Sequence, residues 1–172
     1  MKTTTGYSVA ICIPRKELGT RTEARNAEIK RALALQADFL LMMDADQTMP
    51  LEALNRFLRI DDKSDIIIID APSKNRNDSN VTYNPDGTVA WTGFSCAMIK
   101  TEVFNKIPYP WFDDRFAYTF EIKNGKYVYS KVEKYRLDNV GEDVDFYFKC
   151  LEKGIKIKII TDIKCQHREV EL

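Results

Sequence analysis

Apolar residues along the chain fall into short continuous runs separated by stretches with helical spacing. Ser8–Ile13 (S-V-A-I-C-I), Phe39–Met43 (F-L-L-M-M) and Asp65–Asp70 (D-I-I-I-I-D) are each too short for a helix of their own. Such runs predict strands covered on both faces by helices, and the β-branched run at Asp65–Asp70 is the strongest of them. Between the first two, Thr20–Glu23 has capping-box form and opens a helix to about Leu35, with Ala24, Ile29, Ala32 and Leu33 on its apolar side. Thr48 offers a cap, and Pro50 a first turn, to a second helix from Leu51 to about Ile60. Leu51, Leu54, Phe57 and Leu58 form its expected core face. Strand, helix, strand, helix, strand is the order of βαβ units, so the pattern predicts an α/β fold with a mostly parallel central sheet flanked by helices.

After Asp70 the pattern changes. Ser73–Asn80 is a polar loop expected to be mobile. N-P-D-G at 84–87 separates Val81–Tyr83 from Thr88–Trp91, and K-N-G-K at 123–126 separates Phe120–Ile122 from Tyr127–Tyr129. Both read as β-hairpins inserted into the α/β frame. Gly93–Ile99 is a stretch of small residues, Thr101 is expected to cap a short helix through Phe104 and Lys106, and Pro108–Phe116 is rich in aromatics and proline. A further helix runs from Glu142 to about Lys153 with Val144, Tyr147, Phe148 and Leu151 inward and Gly154 at its C′ position. Ile155–Ile160 alternates as a strand with one wet face. There is no internal repeat, and residues 1–172 are read as a single domain.

Composition narrows the functional classes. The 26 basic residues balance 26 acidic ones, so no global field draws in nucleic acid. No apolar stretch approaches the length of a membrane span, and the first residues, M-K-T-T-T-G-Y-S, carry no signal-peptide core. The four cysteines, Cys12, Cys96, Cys150 and Cys165, are far apart and form no C-x-x-C pair. Reduced thiols in a cytoplasmic protein are therefore expected, without a zinc site.

Candidate chemistry lies at the ends of these elements. Asp44 and Asp46 follow the Phe39–Met43 strand, at the carboxyl end where open α/β sheets bind ligands. Their spacing lets a turning chain aim both carboxylates at one hard cation, Mg²⁺ or Mn²⁺, with positions left for substrate phosphates; the plainer reading is a polar strand end. Glu142 and Asp143 open a helix, where acids complement the dipole. A carboxylate held there also suits a general base that takes a proton from a sugar or other hydroxyl. His167, the one histidine, is either exposed surface or a nitrogen ligand returning to the sheet edge beside the two aspartates. Arg25 and Asn26, early in the first helix, either meet a diphosphate or cap and solvate it.

The order of these pieces carries a resemblance. A-R-N at 24–26, A-D-F-L-L-M-M-D-A-D-Q-T-M-P at 37–50, W-T-G-F-S-C-A-M-I-K-T-E-V-F at 91–104 and G-E-D-V-D-F-Y-F-K-C-L-E-K-G-I-K-I at 141–157 together resemble the family 2-like glycosyltransferases of the GT-A fold. The resemblance implies a GT-A-like (Rossmann-like) sheet and a metal-dependent, inverting transfer of a sugar from a UDP- or GDP-linked donor to a hydroxyl acceptor. It places Asp44 near the ribose or the metal, Asp46 on the metal and His167 completing the coordination. By the same resemblance Asp143 matches the catalytic base with Glu142 beside it, and Trp91 and Gly93 shape the acceptor pocket. The family carries a further helix and strand before the A-R-N helix, so the resemblance implies either a reduced GT-A domain or a Ser8–Ile13 strand that replaces a later one with the true start absent; a homo-oligomer in which a second subunit supplies that wall is one expectation. Two other classes stand beside the enzyme. One is a catalytically idle GT-A-like binding module or subunit. The other is a metal-dependent nucleotidyltransferase, which the lack of a Gly-rich phosphate loop after the first strand disfavours.

Overall fold

The structure is a computed structural model that describes residues 6–14, 17, 19–59, 63–71, 79–133 and 141–167. Its centre is a five-stranded sheet made by β1 (Val9–Cys12), β2 (Phe39–Met43), β4 (Ile66–Asp70), β7 (Cys96–Lys100) and β10 (Ile157–Lys164), in the order β1-β2-β7-β4-β10. Alternate residues of the continuous apolar runs serve two cores. Leu40, Met42, Ile66, Ile68, Ala97 and Ile99 face α1 (Arg21–Ala34), α3 (Val103–Lys106) and α4 (Glu142–Glu152). Phe39, Leu41, Ile67, Ile69, Cys96 and Met98 face α2 (Leu51–Leu58) and the Ile160/Ile163 side of β10. A strand covered on both faces can afford no polar alternation, which is why these runs are unbroken.

The fold is α/β, and the sheet is mixed rather than mostly parallel. β1 pairs with β2, and β10 with β4, in parallel, whereas β7 pairs antiparallel with both β2 and β4. β7 lies in the small-residue stretch, whose composition carries no strand signal. The connection explains its direction. A hairpin of β5 (Val81–Tyr83) and β6 (Val89–Thr92) follows β4 instead of a crossover helix. The Asn80 N–H bonds the Ala71 carbonyl beside the end of β4, so the chain re-enters the sheet from the edge it has just left.

α1 begins as its capping box requires. Thr20 Oγ1 accepts the Glu23 N–H at 3.2 Å, and Glu23 Oε2 accepts the Thr20 N–H at 2.7 Å. Gly19 has φ +99°, and a Cβ there would lie 2.2 Å from Glu23 Oε2, so only glycine lets the chain enter this box. The start of α2 differs from expectation. Thr48 does not cap it; Gln47–Thr48 form β3, which pairs with β11 (Gln166–His167), and Thr48 Oγ1 donates to the Gln166 carbonyl. Pro50 is the N-cap, and Ala53 with Phe57 forms the buried face while Leu51 is 72 % exposed. In α4 Phe146, not Leu151, fills the core. The second hairpin, β8 (Phe116–Lys123) and β9 (Lys126–Glu133), is longer than its turn signal alone implied. Asn124 and Gly125, both at positive φ, make its turn. No helix among the described residues is long and apolar enough to cross a membrane.

Candidate active site

Because β1, β2, β4 and β10 run the same way, their carboxyl ends share one edge, where β7 begins. Asp44 leaves β2 there, its N–H bonded to the Ser95 carbonyl just before β7. Its own carbonyl accepts the Gln47 N–H, closing a tight turn around Asp46. The β3–β11 ladder then sets the backbone of His167 opposite Gln47, next to that turn. The side chain of His167 lies outside the described residues.

Arg25 joins this turn to the start of α4. Its side chain is wholly buried, with Nη2 3.1 Å from Asp44 Oδ1, Nη1 3.0 Å from Glu142 Oε1, and Nη1 in close contact with Asp143 Oδ1. The guanidinium lies over the Phe112 ring, 5.2 Å from its centroid. Three carboxylates thus surround the buried Arg25 guanidinium, and the exposed Arg21 Nε reaches Glu142 Oε1 at 3.8 Å from outside. The planar fork of arginine suits it to hold several carboxylates at once. Arg25 therefore faces the acids of the chain itself in this structure. Asn26 is a clamp: Nδ2 donates to the Thr22 and Phe112 carbonyls at 2.9 and 2.8 Å, and Oδ1 accepts the Phe112 N–H at 3.2 Å. It fixes the 109–115 segment, and so the ring under Arg25, against α1.

α4 is held in register by Asp145. Its carboxylate accepts the Tyr118 hydroxyl at 2.6 Å and meets Lys131 and Lys149 at 2.7 and 2.5 Å. Burial and this carboxylate push the Tyr118 phenol above its ordinary value. The helix start is thereby aimed at the sheet edge, with Asp143 partly exposed.

Gly93 closes the site on the other side. A Cβ added to it would lie 3.1 Å from Asn80 Nδ2 and 3.4 Å from Asp143 Oδ2, so the position borders the candidate base. Trp91 stands further off, stacked on Phe120 at 4.3 Å and edge-on to Tyr127, and ties β6 to the second hairpin. Four residues of this edge, Asp70, Ser79, Asn80 and Ser95, are not among the site candidates that the sequence presents. The buried Asp70 accepts the Ser79 hydroxyl and the Asn80 N–H, and Asn80 Nδ2 donates to Ser95 Oγ at 3.1 Å. The signal for Asp70 was present, since it ends its apolar run as Asp44 ends the other. Of the polar loop, residues 73–78 lie outside the described residues.

Among the described residues no group of three or more histidine, cysteine or acidic side chains gathers as a ready-made cation cage. Mg²⁺ and Mn²⁺ sites in nucleotide enzymes are commonly built from one or two carboxylates, with substrate phosphates and water filling the remaining positions. Asp44 and Asp46 share one tight turn, and Asp44 Oδ1 is engaged by Arg25.

The fold and this edge define an α/β protein with an acid-rich cluster where its strands end. No protein-family model and no curated protein sequence matches the chain. Among solved structures it is similar to one titled "Crystal Structure of A197 from STIV", with a TM-score of 0.61 and 16 % identity. That similarity covers 95 % of this chain and 87 % of the other, and it is a likeness of fold.

Proposed function

We propose that the chain is a GT-A-like glycosyltransferase, moving a sugar with inversion from a nucleotide-sugar donor to a hydroxyl acceptor. The observation that carries this reading is the meeting of the D-A-D turn and the G-E-D helix start on the single guanidinium of Arg25. These are the two acidic motifs on which the sequence resemblance rests, and donor and acceptor chemistry require them side by side.

In this reading Asp44 and Asp46 hold Mn²⁺ or Mg²⁺, with His167 approaching on the strand paired to Gln47. When bound, the cation neutralises charge developing on the leaving diphosphate. Asp143 takes the proton of the acceptor hydroxyl as that oxygen attacks the sugar, and Gly93, which borders Asp143 with no side chain of its own, shapes the acceptor side. Arg25 orients Asp143 and Asp44 from behind, and Glu142, on the same guanidinium, fixes that guanidinium's plane. The alternative reading is an idle GT-A-like module that keeps the same ion-pair knot for stability alone.

Calorimetric titration of the purified protein with UDP and with GDP, each with and without Mn²⁺, tests the proposal. Binding of one nucleotide that requires Mn²⁺ is expected. A folded protein that binds neither would refute the enzyme and leave the idle module.

A further inference from the structure

Two cysteines that belong to no sequence motif meet inside the protein. Cys96 opens β7 opposite Met43, and Cys165 lies between β10 and β11 with its N–H on the Asp70 carbonyl. Both are fully buried, and their Sγ atoms lie 2.8 Å apart. Among the described residues the other two thiols have no cysteine sulfur beside them. Burial pushes Cys12 up to about 12, with its Sγ against the Glu28 carbonyl, and raises Cys150; the Cys165 contact and burial raise Cys96 as well, so what sets the pair apart is the sulfur–sulfur contact.

We propose that Cys96 and Cys165 are an oxidisable pair that a hydroperoxide converts into a disulfide. The thiolate of one cysteine attacks a peroxide oxygen, so that an S–O bond forms, the O–O bond breaks and, with hydrogen peroxide, one water leaves. The partner sulfur then displaces that oxygen; the S–S bond forms, the S–O bond breaks, and a second water leaves. Two thiols lose two electrons and two protons, and the peroxide accepts them.

The position gives the cross-link a consequence. Ser95, next to Cys96, supplies the carbonyl that binds the Asp44 N–H, and β11, next to Cys165, pairs with β3 after Asp46. A bond between the two sulfurs therefore ties together both supports of the D-A-D turn. The inference rests on packing alone, so it stands or falls independently of the glycosyltransferase reading.

The test starts from fully reduced protein treated with hydrogen peroxide, then alkylated under denaturing conditions and mapped by mass spectrometry. Two alkylatable thiols fewer, and a peptide joining Cys96 to Cys165, are expected. The melting temperature should rise by about 5–15 °C, reversibly on adding dithiothreitol, because the bond closes a long loop in the unfolded chain. Cys150→Ser should retain both effects, and Cys165→Ser should lose both. Four alkylatable thiols after treatment, a bond that involves Cys12 or Cys150, or over-oxidation of either sulfur without a cross-link would overturn the proposal. Peptide mapping of the unaltered protein decides the matter even where a variant does not fold.

Discussion

Replacing Arg25 with methionine probes the knot at the centre of the site. Methionine keeps the apolar stem over Phe112 and removes the guanidinium. The three carboxylates left behind are not equally exposed: the side chain of Glu142 is 8 % exposed, that of Asp143 20 % and that of Asp44 26 %. Removing one partner of a buried ion pair costs about 3–5 kcal/mol. Asp44 and Asp143 can draw water, and Glu142 keeps the exposed Arg21 at 3.8 Å, so the lower end applies, about 3 kcal/mol. For a chain of this size that corresponds to a fall in melting temperature of roughly 6–12 °C. Urea denaturation should show the midpoint falling with an unchanged slope, because the loss is in stability and not in compactness. A double-mutant cycle with Glu142→Gln sharpens the test. The double variant should be more stable than the sum of the two single losses by at least about 1 kcal/mol, since the uncompensated charge is then gone. An Arg25→Met protein within about 0.5 kcal/mol of the parent, or a strictly additive cycle, would show that these acids do not share one cation.

Four further outcomes follow from the geometry. Asp46→Ala should abolish Mn²⁺-dependent nucleotide binding, whereas Asp143→Asn should keep that binding and lose transfer to an acceptor; calorimetry beside a product assay separates the two. Gly93→Ala presses a methyl group against Asn80 and Asp143, so transfer should fall while nucleotide affinity holds, and equal loss of both would place Gly93 outside the acceptor path. Phe146 is fully buried against Phe94, Phe104 and Phe112, so Phe146→Ala should cost about 3–5 kcal/mol in chemical denaturation. Finally, the Arg115 side chain and N–H hold Asp113 below its ordinary value. The folded value being the depressed one, this contribution is fully present above about pH 4 and is lost as pH falls through the folded value. Asp113→Asn should therefore flatten the acid limb of the stability profile, and an unchanged limb would assign acid sensitivity elsewhere.

What the sequence determined by itself is what short-range chemistry controls. The Thr20 capping box, the buried runs of β2 and β4, the N-G turn of the second hairpin and Gly154 at the end of α4 are each specified by a few adjacent residues. The acidic ends of β2 and α4 were legible for the same reason, because a polar pair beside an apolar run is a local contrast. Tertiary structure decided everything that depends on which segments meet. β7 became the central antiparallel strand because a hairpin, not a helix, follows β4, and its small residues carry no strand signal of their own. Asp145 and Phe146 are buried in α4 while Leu151 is half exposed, because the hairpin and the 109–115 segment, not only the sheet, cover that helix. From the sequence Arg25 is a residue at a helix start that either meets a diphosphate or caps and solvates. It became the buried link between Asp44, Glu142 and Asp143 only when α1 and α4 closed over the same sheet edge, since three carboxylates distant in the chain need one cation once they are near in space.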